Sequence, residues 1–439
     1  MNVESGRVLP ARLRRRPPAP ATAVPWYGLA IFTFFFITAR LPSLYTEFGI
    51  YLALLGLVVR PQGLDFPPPL RWALAFLLWA FATALFAIAP ERAWPALLEL
   101  LKALVIFFVV VNVLRTPQQL RFYILLILVA FVLFPARGTL QNYVTGHTEM
   151  GRAVWNKVYS NSNDLAAMML MVLGLQLAIA SVKTQNVRVR RAVAALVPVT
   201  LVIILLTQSR GVFIGLLVGF GPPLLARLRK RPSATTVPVL AVLAVLAVLI
   251  PAATWHRFEG ITHLTETIGG TDKEDRPPAG ASKYDQWASS SARQRFEILK
   301  TGLHIAASHP VLGVGIGCYR EANERYAPQL GARDAHNTYV NLAAEMGFPG
   351  LLLWLGLVGS VLIHVRRRHA LLEADDRTIQ VLWIERAVIG YLVAGFFGTY
   401  GGLTLFYLFL GILWAASNVL GRDTTESSAP PARRALRTR

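Results

Sequence analysis

Residues 205–219 read LLTQSRGVFIGLLVG, two apolar runs separated by a short polar group that ends in Arg210. Such runs are typical of membrane-spanning helices, because about 20 apolar residues in a helix cross a hydrocarbon core roughly 30 Å thick. The polar connection is only a few residues long, so both spans meet at the same membrane surface. We therefore expect Arg210 to lie close to the outer hydrocarbon boundary.

Apolar runs of this kind recur along the whole chain. The 439 residues are 54% apolar and only 15% charged, which is too apolar for a soluble globular protein of this length. Twelve spans are predicted, at 26–42, 44–59, 70–89, 95–114, 119–136, 164–182, 192–208, 211–226, 236–253, 349–365, 384–400 and 403–420. The expected fold is all-α: a polytopic integral membrane protein with about 12 transmembrane helices.

The basic residues indicate how these spans are oriented. Nearly all of the net charge of +20 falls on segments predicted to be cytoplasmic, including NVRVRR, RLRKRP and HVRRRHA. This is the positive-inside pattern of membrane proteins, and contact with anionic membrane lipids explains it. No nucleic-acid partner is needed to account for the charge.

The spans divide the chain into five regions. We expect a basic cytoplasmic tail at 1–25, transmembrane helices one to nine at 26–253 with an external loop at 137–163, a large external loop at 254–348, three transmembrane helices at 349–420, and a cytoplasmic tail at 421–439. The large external loop contains the stretch ARQRFEILKTGLHIAASHP, which has helical spacing of its apolar residues. The glycine-rich stretch GVGIG that follows predicts a turn between helices, because it lacks the strand and the GK[ST] of a phosphate-binding loop.

A polar segment precedes the tenth span, where residues 333–350 read RDAHNTYVNLAAEMGFPG. Asp334 is predicted to cap a short helix over about 335–346, which Gly347 ends. His336 would then lie in the first helical turn, where the helix dipole disfavours the imidazolium form. A neutral imidazole at the outer membrane surface is able to accept a proton. The alternative is a surface or capping histidine without a chemical role.

Arginines on the external side depart from the positive-inside pattern. Arg137, Arg152 and Lys157 lie at or within the first external loop, and Arg293 and Arg295 begin the helix of the large loop. A guanidinium at headgroup level suits bidentate contact with phosphate or pyrophosphate oxygens. For Arg210 the alternative is a side chain that extends to water from an interfacial position, and for the others it is contact with solvent or lipid headgroups.

Two further patterns bear on chemistry. The sequence has no HExxH, no CxxC and no tight external carboxylate pair beside a histidine, so no metal site and no cofactor are predicted. Glu99 and Lys102 lie three residues apart in the fourth span and can pair on one helix face. Charged residues inside a membrane are functional candidates, but a structural pair explains these two equally well.

The stretches SARQRFEILKTGLHIAASHPVLGVGIGCY, AHNTYVNLAAEMGFPGLLL and LLTQSRGVFIGLLVG resemble the signature region of the O-antigen ligase and polymerase superfamily. The shared features are an arginine-led helix, HPxxGxG, HNxY before a span, and SRG between spans, with NSNDLA similar to the family's Asn-Asp start of a span. The motifs fall mainly within 137–366. The resemblance implies a metal-independent glycosyltransferase of the GT-C type in the bacterial inner membrane.

The resemblance also implies substrates and site residues. The donor is a glycan linked to undecaprenyl pyrophosphate, used on the periplasmic side. His336 matches the essential histidine of HNxY and Arg210 the essential arginine of SRG, while Arg137, Arg152 and Arg295 match less closely. Lys157, Asn337 and Tyr339 are further candidates for substrate binding. The absence of a large C-terminal extension favours lipid A-core as the acceptor, with an O-antigen polymerase or a secondary transporter as the alternatives.

Overall fold

The computed structural model describes residues 23–38, 43–59, 64–156, 159–183, 186–230, 283–369 and 376–420. Within these ranges the chain forms helices and their connections, and no β-strand. The helices are α1 Ala23–Thr38, α2 Ser43–Val59, α3 Pro68–Leu85, α4 Pro90–Val113, α5 Pro117–Phe131, a π-helical turn Val132–Ala136, α6 Arg137–Val144, α7 Ser162–Ala180, α8 Val187–Leu206, α9 Arg210–Lys230, α10 Lys283–Ser308, α11 Tyr319–Tyr326, a 3-10 turn Pro328–Leu330, α12 Thr338–His369, α13 Asp376–Ala394 and α14 Thr404–Leu420.

The helices confirm an all-α integral membrane protein. Six helical segments in the described ranges are long and apolar enough to cross a membrane, and four further apolar helices are shorter, at 10–17 residues. Each of the other eleven predicted spans overlaps a helix in the described ranges, whereas the span predicted at 236–253 lies outside them. The total of twelve crossings therefore stays a prediction.

The fifth span is longer than predicted. The helix expected to end at 136 continues through a π-helical turn into α6 and ends at Val144, so that Pro117–Val144 is one helical segment of 28 residues. Pro135 lies in the π-helical turn, because a proline lacks the N–H that the regular helix would use there. Arg137 therefore lies within a helix, and the first external connection begins after Val144.

The eleventh span is shifted toward its N-terminus. It was predicted at 384–400, but α13 ends at Ala394 and residues 395–403 form a connection to α14. This connection reads GFFGTYGGL, and its glycines weaken the helix although its aromatic residues keep the hydropathy high. The error matters, because the connection contacts both predicted catalytic segments.

Four backbone hydrogen bonds hold the glycine-rich turn of the predicted large loop, three of them to the first part of α12 or its end and one to the connection between α3 and α4. Ile88 N donates to Val314 O (3.0 Å), Val314 N to Ala344 O (2.9 Å), Gly315 N to Glu345 O (2.9 Å), and Phe348 N to Pro310 O (2.9 Å). The predicted turn over GVGIG is confirmed, because residues 309–318 connect α10 to α11 without a helix.

Gly347 separates α12 into a short first part and a long membrane helix. Its φ of 67° is left-handed, and a Cβ there would overlap the carbonyl of Val311. The predicted end of the short helix at Gly347 is confirmed. The first part of α12 therefore belongs with the elements of the predicted large loop, and the second part begins near Pro349 as an apolar helix long enough to cross a membrane.

The chain alternates between two ends of the helix bundle. The starts of α7, α9, α12 and α14 meet at one end, which we call the site end. The connection from α7 to α8 lies at the opposite end, where Lys183 N donates to the Asp376 carboxylate at the start of α13 (2.6 Å). The basic start of α8 and the basic end of α12 share this opposite end, whereas α13 begins there with Asp376 next to Arg377. This arrangement agrees with the positive-inside pattern.

Candidate active site

The segment around His336 differs from its prediction. The helix begins at Thr338, and its N-cap is Asn337, whose Oδ1 accepts hydrogen bonds from Tyr339 N (3.0 Å) and Val340 N (3.1 Å). The prediction of Asp334 as the cap is wrong. Asp334 lies three residues earlier and pairs with Arg320 at 3.7 Å. His336 therefore precedes the helix, with a left-handed φ of 49°.

The predicted neutral state of His336 is supported, although by a different cause. Burial lowers the pKa of the His336 imidazole, and the Arg295 guanidinium lowers it further. Asp334 acts in the opposite direction and raises this pKa, while Arg333 lowers it. Because His336 lies outside the first turn, desolvation and Arg295 account for the lowered pKa. The imidazole is thereby kept in the form that accepts a proton.

Arg152 is held between the first external connection and two helix ends. Its Nε donates to Thr207 O (2.8 Å), directly before the SRG segment, and its NH2 group donates to Asn163 Oδ1 (2.7 Å) in the first turn of α7. A backbone hydrogen bond from Ala153 N to Leu206 O (2.9 Å) also holds this connection against the end of α8. The structure therefore places Arg152 beside the segment that carries Arg210.

Arg210 begins α9, and the start of α9 contacts the same connection as the His336 segment. The neighbouring Gly211 packs so closely on Phe397 that an added Cβ would overlap that side chain. From the other side, Asn337 Nδ2 donates to Phe396 O (3.2 Å) and Thr338 N donates to Gly395 O (2.7 Å). The segments of Arg210 and His336 thus contact the same short stretch, 395–397, and lie at the same end of the bundle.

The other predicted site residues occupy varied positions. Arg295 was predicted to begin the helix of the large loop, but α10 begins at Lys283 and Arg295 lies in its middle. It is exposed, and its charge acts on both His336 and Tyr400. Arg137 is exposed on α6. Lys157 lies outside the described residues. Tyr339 donates to Leu392 O (2.7 Å) and packs against Phe396 with ring centroids 4.4 Å apart, so its contacts with the protein are structural.

Left-handed backbone conformations mark the same region. In the described part of the chain, three residues other than glycine have positive φ: Met150 (50°), Gln208 (53°) and His336 (49°). His336 is itself a predicted site residue. Met150 lies two positions before Arg152, and Gln208 lies two positions before Arg210. Residues other than glycine adopt this conformation at a cost, and such strain concentrates at functional sites.

Sequence reasoning missed several residues that complete the site. They are Asn163, Ser209, Thr338 and Tyr400, which connect the predicted residues to one another. The available signals were the Asn-Asp pair at the start of α7 and the serine next to Arg210. Tyr400 was placed inside a predicted span, and no local pattern indicated that it approaches residues 163 and 209.

A cavity of about 260 Å³ adjoins the site between helices α1, α4, α7, α13 and α14. Its lining is mainly apolar, with Asp164 and Tyr159 among its polar members: Phe36, Glu99, Tyr159, Asp164, Met168, Met171, Tyr391, Gly402, Leu403, Thr404, Leu405 and Phe406. Asp164 follows Asn163, the partner of Arg152, so the cavity lies next to the arginine-bearing segments. The cavity volume is somewhat below the range of about 300–1,000 Å³ for small-molecule pockets.

The charged pair in the fourth span is present as predicted. Lys102 Nζ lies 2.8 Å from Glu99 Oε1, and both side chains are more than half exposed. Elsewhere in the described ranges, no group of three or more His, Cys, Asp or Glu side chains is placed to hold a metal ion. The polar chemistry of the described site end therefore comes from arginine, histidine, hydroxyl, amide and separate carboxylate groups.

These features define a class: a multi-pass helical membrane protein with an arginine-rich polar site at one end, next to a broken helix. Residues 194–355, about a third of the chain, match the family model described as O-antigen ligase, so this part of the chain is similar to the O-antigen ligase superfamily. This superfamily covers O-antigen ligases and polymerases, which are membrane glycosyltransferase-like enzymes. The matched region contains Arg210, Arg295 and His336. No curated protein is significantly similar to the chain.

Proposed function

We propose that the protein is an O-antigen ligase, an inverting glycosyltransferase of the GT-C type. It would transfer O-antigen glycan from undecaprenyl pyrophosphate to lipid A-core at the periplasmic face of the bacterial inner membrane. The observation that carries the proposal is the shared contact of the Arg210 and His336 segments with residues 395–397, within a chain whose family match includes both residues.

The arginines would bind the pyrophosphate of the donor. When the glycosyl bond breaks, the leaving lipid pyrophosphate keeps the electron pair and gains negative charge. Positioned guanidinium groups stabilise such developing charge, which is the role a metal ion has in other enzymes. Arg152 bonds to Thr207 O, three residues before Arg210, and Arg295 brings positive charge from α10. We therefore propose that transfer needs no divalent metal ion and no cofactor.

His336 would act as the general base. Its neutral imidazole would accept the proton of the acceptor hydroxyl while the hydroxyl oxygen attacks the anomeric carbon. Attack from the side opposite to the pyrophosphate inverts the configuration at that carbon. The lowered pKa of His336 keeps the base neutral at the pH of transfer.

The cavity beside Asp164 suits the lipid part of the donor. Its apolar lining from α7 and α14, next to the arginine-bearing segments, fits the part of a polyprenyl chain nearest to the pyrophosphate. At about 260 Å³ it would accept only that first part. The rest of the chain would lie along the lipid-facing helices.

The test is transfer by the purified protein in lipid vesicles with a chelator present. We expect glycan to appear on lipid A-core, and Arg210→Ala to reduce the rate by roughly 100-fold or more while the protein level stays normal. A strict requirement for a divalent ion would contradict the mechanism, and full activity of Arg210→Ala would remove that residue from the site.

The same assay separates the alternatives. A polymerase, which the family description also covers, would form a ladder of longer glycans on undecaprenyl pyrophosphate and leave lipid A-core unmodified. A secondary transporter would move substrate into vesicles without transferring glycan. The absence of lipid A-core modification would overturn the ligase assignment.

A further inference from the structure

The connection between α13 and α14 links segments that are far apart in sequence. Thr338 N donates to Gly395 O (2.7 Å), and the Thr338 hydroxyl donates to Gly398 O (2.8 Å). Tyr400 N in turn donates to Thr338 Oγ1 (2.8 Å). Three hydrogen bonds therefore fix the backbone of this connection to the residue that lies two positions after His336.

The side chain of Tyr400 reaches the other half of the site. It is 1% exposed, and its hydroxyl donates to Asn163 O (3.5 Å) in the first turn of α7. Asn163 is also the residue whose side chain accepts a hydrogen bond from Arg152. The Arg152 and Arg295 guanidinium groups both act on this hydroxyl electrostatically.

Tyr400 differs in this respect from the aromatic residues around it. Tyr391 and Tyr407 are also buried, but their hydroxyls donate to the backbone of the same connection, at Tyr400 O (3.1 Å) and Gly401 O (2.9 Å). Those two bonds stabilise the connection itself. Only the hydroxyl of Tyr400, among these three tyrosines, bonds to Asn163, the partner of Arg152.

We propose that Tyr400 is a positioning residue, which holds Asn163, the partner of Arg152, at a fixed distance from the His336 segment. The inference rests on the proposed function. A single residue joins the partner of one pyrophosphate-binding arginine to the segment of the base. Small displacements of reacting groups slow an enzyme strongly, so the hydroxyl is expected to affect the rate more than the fold.

The test compares Tyr400→Phe with Tyr407→Phe in the transfer assay. Tyr407→Phe is the matched control, because it removes one buried hydroxyl from the same connection without touching the arginine-bearing segments. We expect Tyr400→Phe to lower kcat by roughly 10- to 100-fold, with KM for the donor changed much less and with the same thermal stability as the control. Equal loss in both variants would overturn the proposal.

The proposed function fails in a different way: Arg210→Ala and the His336 variants would then retain transfer, whatever Tyr400→Phe does.

Discussion

His336 lies among charges of both signs, and these determine the pH at which its imidazole can accept a proton. Burial and Arg295 lower its pKa, Asp334 raises it, and Arg333 lowers it. The group acts as a base only when neutral, so a lowered pKa extends activity toward acidic pH. The imidazole, its backbone conformation and its charged neighbours can be tested separately.

The first prediction concerns the imidazole itself. The left-handed φ of 49° at His336 is better tolerated by asparagine than by most residues, so His336→Asn removes the base and retains the backbone. We expect transfer to fall by roughly 10²- to 10⁴-fold, measured as kcat with purified protein. Folding is checked by thermal stability in detergent. Retained activity in a folded His336→Asn protein would exclude the histidine as the base.

The second prediction concerns the acid limb of the pH–rate profile. Arg295→Gln removes a positive charge that lowers the pKa of His336, so the acid limb should move to higher pH. Asp334→Asn removes a negative charge that raises this pKa, so the limb should move to lower pH. We expect shifts of roughly half a pH unit or more in these opposite directions. Shifts in the same direction would show that another group controls the limb.

At the scale of elements, the break in α12 joins the external helices to a membrane helix. Gly347 has a left-handed φ of 67°, and its Cα faces the backbone of Val311 without room for a side chain. Backbone hydrogen bonds from residues 314 and 315 to Ala344 and Glu345 lie directly beside it. The position of the first part of α12, and with it His336, therefore depends on this glycine.

The third prediction is that Gly347→Ala destabilises the protein. The Cβ would overlap the Val311 carbonyl, and the left-handed conformation is unfavourable for alanine, which together cost about 3 kcal/mol or more. Gly359→Ala is the control on the same helix, since a Cβ there meets nothing within 4 Å and alanine favours helix. The melting temperature in detergent should be lower for Gly347→Ala and unchanged for Gly359→Ala. Equal melting temperatures would contradict the steric account.

Hydropathy located the helices but not all of their ends. The runs around α5 and α13 were recognised, yet one helix continues to Val144 through a π-helical turn and the other ends at Ala394. Helix ends depend on prolines, glycines and capping bonds whose effect is decided by packing. The N-cap shows this: Asp334 and Asn337 both have suitable side chains, and only the structure distinguishes them.

At the scale of the whole molecule, the site is assembled from residues widely separated in sequence. Arg152, Ser209, His336 and Tyr400 come from four connections that meet at one end of the bundle. The sequence motifs and the predicted orientation of the spans indicated the arginines and the histidine, because these residue types are unusual at a surface predicted to be external. The bridging role of Tyr400 was not predictable, because it depends on how distant helices pack.

The fourth prediction concerns which side of the membrane each end of the helix bundle faces. Cys318, the single cysteine, is fully buried, and burial raises the pKa of its thiol to about 11, so it should react slowly. Cysteines introduced at the exposed positions His147, Gln329 and Val187 can therefore be labelled individually. A membrane-impermeant maleimide applied to intact cells should label positions 147 and 329, and should label position 187 only after permeabilisation.

The labelling has a clear contradictory outcome. Positions 147 and 329 lie on connections at the site end, and position 187 lies at the opposite end. If 147 and 329 react from different sides of the membrane, the bundle does not have the described arrangement. If both react only after permeabilisation, the site faces the cytoplasm and the periplasmic assignment is wrong.

The four backbone hydrogen bonds around residues 310–315 also restrict how the enzyme can open. They tie the tips of α3, α10 and α12 into one unit, so this corner is a poor hinge. On the proposed function, the glycan would then enter and leave along another edge of the site end, away from the glycine-rich turn.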